Sequence, residues 1–302
     1  MNTSINRLNS TPVIQENKAL SLLTWSLISI IFILTIIVNS VSLDNLDVSF
    51  RSLITLGICA VAWLHGTKRY GVKNMVVFFV ITWIVSNSFE ALSIHTGFPF
   101  GNYHYTIPGP RILEVPLIIM PGYFGMGYMA WTLSHILNGQ YSKKIQGIQI
   151  FFVPLVASFI MVMWDIVMDP IAATINKVWI WQNGGAYFGV PISNYFGWFF
   201  VVFVFLQIFA IFISRHDTRE SANNFNKLFW LEATAVYGIQ GLSYLLQSII
   251  SSGNKEIYSS MGLISVFTMI FVTILSAISI SNSTEFNYIN KQTNSIQKKV
   301  SV

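Results

Sequence analysis

The 302 residues are 53% hydrophobic and only 10% charged, with a mean hydropathy of +0.59 and a formal net charge of +5. A soluble domain carries about 25% charged residues, so this chain lacks the polar surface to face water on all sides and reads as a bilayer protein. Its basic residues do not cluster with aromatics, which argues against a nucleic-acid partner, and the single cysteine, Cys59, excludes an intramolecular disulfide and a cysteine-rich metal site.

In chain order, residues 1–18 form a polar tail rich in Asn and Ser, without the basic-then-apolar pattern of a signal peptide. About 20 apolar residues are needed to cross a bilayer, and hydropathy predicts eight such spans, at 19–40, 50–66, 73–94, 115–137, 147–168, 193–214, 227–250 and 258–280. Residues 281–302 form a second polar tail, so 19–280 is read as a single transmembrane helical domain in an all-α bundle. Of the 17 Lys and Arg, only Arg51, Arg111, Lys177 and Lys255 fall on one side of the predicted bundle. The positive-inside rule then places both tails in the cytoplasm of a multi-pass cell-membrane protein. The two longest connections, 95–114 and 169–192, fall outside.

A carboxylate inside a bilayer costs roughly 2.5–3.5 kcal/mol on insertion scales and marks a functional position. Glu90 stands near the outer end of the third span. Asp165 and Asp169, in "MVMWDIVMDP", stand one helical turn apart at the outer end of the fifth, on one face, with Pro170 expected to stop the helix. Glu232 lies near the inner end of the seventh. Three acids thus collect at one depth beneath two loops rich in aromatics, "GFPFGNYHYT" and "WIWQNGGAYFGVPISNYFGW". The loops read either as an interfacial aromatic belt or, given Gly184, Gly185, Gly189 and Pro191, as a shaped pocket lid.

Several chemistries find no support. His65, His95, His104, His135 and His216 lack the close spacing of a helical metal site, and each reads as a solvated boundary residue. No lysine falls in the interior of a predicted span, which argues against a retinal Schiff base. Phosphate-binding, dinucleotide and nucleophile-elbow motifs are absent from the sequence. Acid chemistry on an apolar substrate remains. A carboxylic acid can protonate a carbon–carbon double bond, and aromatic faces can stabilise the resulting cation. Cyclisation, isomerisation and hydration of isoprenoids all fit this equipment.

The order Glu90, Thr96-Gly97, Phe100-Gly101-Asn102-Tyr103-His104-Tyr105 and Val115-Pro116 is followed by a second set. That set is Asp165, Asp169-Pro170, Trp179-Ile180-Trp181, Gly185-Ala186-Tyr187-Phe188-Gly189-Val190-Pro191, Asn194 and Gly197-Trp198. The combination resembles the integral-membrane carotenoid biosynthesis family, over roughly residues 75–280. The resemblance implies a hydro-lyase that hydrates the terminal C1–C2 double bond of an acyclic carotenoid to a tertiary alcohol. Its expected partners are the carotenoid, water, membrane lipid and other enzymes of the same pathway, and it needs no redox cofactor or metal. Under this reading Asp165 is the acid, Glu90 orients water or takes its proton, and Asp169 tunes the pair. Tyr103, Tyr105, Trp179, Trp181 and Tyr187 line the end-group pocket, while Asn102 and Asn194 hold water or backbone. Two alternatives stay open. One is another end-group enzyme, a cyclase or isomerase. The other is a non-enzymatic transporter or lipid-binding protein, although the acids lie mostly on one side and no inverted repeat is visible.

Overall fold

A computed structural model of the chain describes residues 13–14, 17–40, 47–141, 144–217, 220–221, 224, 226–284 and 286. Most of both polar tails, with Arg7, Lys291, Lys298 and Lys299, lies outside the described residues, as do Lys143 and Arg219. Each of the eight predicted spans falls on a helix. The side-chain oxygen of Asn17 accepts from the Leu20 amide at 3.1 Å and so caps helix α1, Lys18–Ser40. Helix α2, Asp47–Thr96, holds the second and third predicted spans and breaks at Gly71, whose φ of 77° and ψ of 161° suit a residue without a Cβ. The break is a hairpin turn. A Cβ on Gly66 would lie 2.4 Å from Met75 Cε, whereas nine residues of straight helix span about 13.5 Å. Both ends of α2 therefore reach the same end of the bundle.

This turn corrects one expectation. Residues 67–72 were expected as a basic loop, but Lys68, Arg69 and Tyr70 are helical and buried. Lys68 thus sits inside a helix pair, where no lysine was expected, and its charge is met by Glu232.

Helix α3, Ile119–Leu137, is the centre of the bundle, with every residue from Tyr123 to Ile136 buried. It packs against α2 and against α4, Gln149–Asp169. A helix wrapped by protein on all sides need not be uniformly apolar, which explains its glycines, Thr132, Ser134 and His135. Gly125 lets the α2 backbone approach, since a Cβ there would stand 3.1 Å from the Cys59 nitrogen. Pro170 does not stop α4 as expected. The coil widens into a π-helical turn, Pro170–Ile175, that accommodates the missing N–H and the proline ring.

Helices α5, Ile192–His216, and α6, Lys227–Ile250, follow, and then α7, Lys255–Ser265, which passes through a second π turn into α8, Phe271–Asn282. Among the described residues, five helices are long and apolar enough to cross a membrane: Lys18–Ser40, Arg51–Thr96, Gln149–Ile175, Ile192–His216 and Lys255–Asn282. Helices α3 and α6 are not among them. The chain is an all-α, polytopic membrane protein.

Short strands join the loops. Tyr103–Tyr105 pairs antiparallel with Trp179–Trp181, in the register Tyr103 to Trp181, His104 to Ile180 and Tyr105 to Trp179. Strand alternation turns Tyr103 and Tyr105 inward and leaves His104 exposed. The two aromatic loops, remote in sequence, thus form one cover. Two further two-residue pairs, Val13–Ile14 with Glu220–Ser221 and Arg111–Ile112 with Val115–Pro116, lie elsewhere.

Candidate active site

Glu90 lies on the second arm of α2, one and a half turns before the helix ends, and is buried. Its Oε2 accepts hydrogen bonds from Tyr103 and, at 2.9 Å, from Tyr105; its Oε1 accepts from Tyr123 at 2.5 Å. A buried carboxylate is tolerable only with such donors. Burial first, and Glu90's charge second, hold the Tyr103 and Tyr105 phenols far above their ordinary pKa, so both remain donors. Tyr123 stacks on Trp198 with ring centroids 4.3 Å apart and an interplanar angle of 1°; Tyr103 packs on Trp181 at 4.9 Å.

The two aspartates form a second group. The Asn194 Nδ2, near the start of α5, donates to Asp165 Oδ2 at 3.0 Å and to Asp169 Oδ2 at 2.7 Å. Trp179 Nε1 donates to Asp169 Oδ1 at 2.9 Å, tying the cover to α4. Asp165 Oδ1 is buried and makes no hydrogen bond to protein.

A cavity of about 440 Å³ opens beneath the cover. Glu90, Tyr103, Tyr105, Tyr123, Trp164, Trp179, Trp181, Asn194 and Trp198 stand on its wall. The structure thus brings Glu90, Tyr103, Tyr105, Trp179, Trp181 and Asn194 to one space. Asp165 and Asp169 are not on the wall; Asn194, which holds both, is. Tyr187 and Asn102 do not line it. The Tyr187 hydroxyl faces Met261 Sδ at 3.8 Å, and Asn102 packs its side chain under Gly97 while its carbonyl accepts from the Gln182 amide at 2.9 Å.

Sequence reasoning missed Tyr123, Trp164 and Trp198 as wall residues. Tyr123 sits in "PGYFGMGYMAW", whose glycines announce close helix packing and nothing more. Among the described residues, no three His, Cys, Asp or Glu side chains converge as metal ligands would.

The far end of the bundle holds a separate polar cluster. Lys68 Nζ lies 2.8 and 2.5 Å from the Glu232 oxygens and donates to Thr24 Oγ1 at 3.2 Å. His65 bridges the Tyr128 hydroxyl and the Phe229 carbonyl at 2.8 Å each, and Arg69 Nη2 meets His135 Nδ1 at 3.1 Å. His65 and His135 are therefore buried members of a network rather than solvated boundary residues, whereas His95, His104 and His216 are exposed.

The membrane helix bundle thus holds hydrogen-bonded carboxylates beneath a cover of aromatic strands. Residues 50–255 match the family described as carotenoid biosynthesis protein, and the chain belongs to that family. A stretch of 138 residues is 28% identical to the bisanhydrobacterioruberin hydratase of Haloarcula japonica, covering 45% of this chain and 45% of that relative. The similarity therefore spans less than half the length of the relative. No solved structure matches the chain.

Proposed function

We propose that the protein is a carotenoid hydratase adding water across the terminal C1–C2 double bond of an acyclic carotenoid. The observation that carries this reading is the cavity lined by aromatic rings with Glu90 on its wall and the Asp165–Asn194–Asp169 group behind it, in a chain of this family. An acid first transfers its proton to C2, leaving a tertiary cation at C1. Water then bonds to C1 and gives up a proton, so the sum is addition of one water.

The hydrogen bonding divides the roles. Glu90 receives three phenolic donors, which hold it on the wall as an acceptor, suited to taking the proton of the attacking water. Asp165 keeps one oxygen without a protein partner, as a proton donor to carbon requires. Asn194 and Asp169 position Asp165. This assignment requires the end group to reach past Asn194 to the depth of Asp165. The aromatic rings of Trp179, Trp181 and Trp198 face the cavity and offer π-faces to the cation. A second reading exchanges the two carboxylates, and the position of Glu90 on the wall favours it.

Expression in a lycopene-producing host, with mass spectrometry of the pigments, tests the function. Hydration raises the product mass by one water. A new product isomeric with lycopene would assign cyclisation or isomerisation instead, and unchanged pigment would remove this reading.

By the positive-inside rule the cover faces the outer side of the cell membrane, with both tails inside. The carotenoid reaches the site from the bilayer.

A further inference from the structure

The cavity has a polar flank that the chemistry above leaves unused. Its wall also carries Thr35 of α1, Arg51 and Ser52 at the start of α2, and Gln240, Ser243 and Gln247 of α6. Asn39 Nδ2 donates to the Thr35 carbonyl at 2.8 Å and to Ser243 Oγ at 2.9 Å, and Gln247 Nε2 donates to the same Oγ at 3.3 Å. Thr35 and Gln247 are only 2% and 4% exposed, yet Thr35 Oγ1, Asn39 Oδ1 and Gln247 Oε1 make no hydrogen bond to protein. Buried oxygens left so are costly. Thr35 and Gln247 stand on the cavity wall and Asn39 is bonded to Ser243, which also does, so the retention of these oxygens points to a small hydrogen-bonding ligand.

The placement of these residues says which ligand. Thr35 and Asn39 are one turn apart on α1, and Ser243 and Gln247 are one turn apart on α6, so each pair shares a face. Together they make a stripe that climbs toward the helix ends at Ser40 and Ile250. Gln247 lies only about 4.5 Å of helical rise from Ile250. The stripe offers the few donors and acceptors that a water needs. The other flank carries the aromatic rings and the Tyr103–Trp181 strand pairing.

We propose that the Thr35–Asn39–Ser243–Gln247 seam between α1 and α6 admits and holds the water that adds to the polyene, so that water and polyene reach the cavity by separate routes. This rests on the hydratase reading. The oxygen held at the seam bonds to C1, and its proton passes to the carboxylate that did not protonate C2. No oxidant or further reactant enters.

Membranes carrying the full chain, given lycopene in D2O, test the seam. Two quantities are read: the alcohol formed, and deuterium in the recovered polyene. A cation that finds no water returns a proton, and when that proton is the original C2 hydrogen the deuterium stays. Thr35→Val, Ser243→Ala and Gln247→Leu should each lower kcat for the alcohol about 10- to 100-fold while deuterium still enters the polyene at the wild-type rate or faster. Thr35→Ser should restore the alcohol. Wild-type alcohol formation in all three variants overturns the seam. So does a parallel loss of alcohol and exchange, which marks a structural role. A wild-type protein that makes no alcohol sinks the hydratase reading itself, a separately recognisable result that removes the seam with it.

Discussion

Tyr105 donates to Glu90 at 2.9 Å from a strand residue paired directly with Trp179, whose indole in turn donates to Asp169. The cover is therefore bonded to both carboxylate groups, and a change in one strand should be felt in the site below. Tyr105→Phe removes one of Glu90's donors at constant shape. It should cost about 1–3 kcal/mol of stability and lower hydration, with the protein still inserted. A thermal-shift assay in detergent alongside pigment analysis checks both; unchanged hydration would reduce Tyr105 to packing.

Asp165→Asn should abolish hydration, a loss of at least about 100-fold, and should also stop deuterium uptake from D2O, because Asn keeps the shape but has no proton to give to carbon. Glu90→Gln should stop the alcohol while leaving deuterium uptake, since the cation still forms. The reverse pattern would transfer the acid role to Glu90. Normal alcohol formation by both variants would empty the proposed site.

At the other end, Lys68 and Glu232 are both buried and paired through two contacts. Removing one partner takes away the opposite charge that balances the other. Lys68→Met or Glu232→Gln should each destabilise by about 3–5 kcal/mol, and the double variant by less than either. Protein that survives in the membrane should keep its hydration activity, because Glu232 lies eight residues, about 12 Å of helical rise, from Gln240, the first α6 residue on the cavity wall. Additive single effects in unfolding midpoints would mean that the ion pair contributes nothing as a pair.

Orientation has its own test. In a Cys59→Ser background, Gln182→Cys should react with an impermeant thiol reagent added to intact cells, and Lys144→Cys only after the cells are opened. Both side chains are exposed on loops at opposite ends of the bundle. The opposite labelling pattern would invert the topology.

The helical bundle was legible in the sequence because apolar runs of span length have few other fates. Glu90 and the aspartates were legible because a carboxylate in such a run is costly and conspicuous. What was not legible depended on partners remote in sequence. Lys68 looked like a loop residue because nothing near it announces Glu232, 164 residues away. His65 and His135 looked solvated for the same reason. Tyr187 was expected on the pocket wall under the family resemblance, yet its hydroxyl faces Met261. Tyr123 was hidden in a glycine-rich helix, and the strand pairing of the two loops left no mark that an aromatic belt would not also leave. Proline read as a stop signal at Pro170, whereas the chain continues by widening the coil.

The partners of the two carboxylate groups have a further property. Glu90 takes its three hydroxyls from residues 13, 15 and 33 positions downstream, and Asp169 takes Trp179 and Asn194 from 10 and 25 positions downstream. Each acid is followed on the nascent chain by the groups that neutralise its burial cost. During synthesis, the segment holding Glu90 can therefore settle in the bilayer before the segment holding the aspartates has left the ribosome. The strand pairing then fastens two halves that have each already come to terms with lipid.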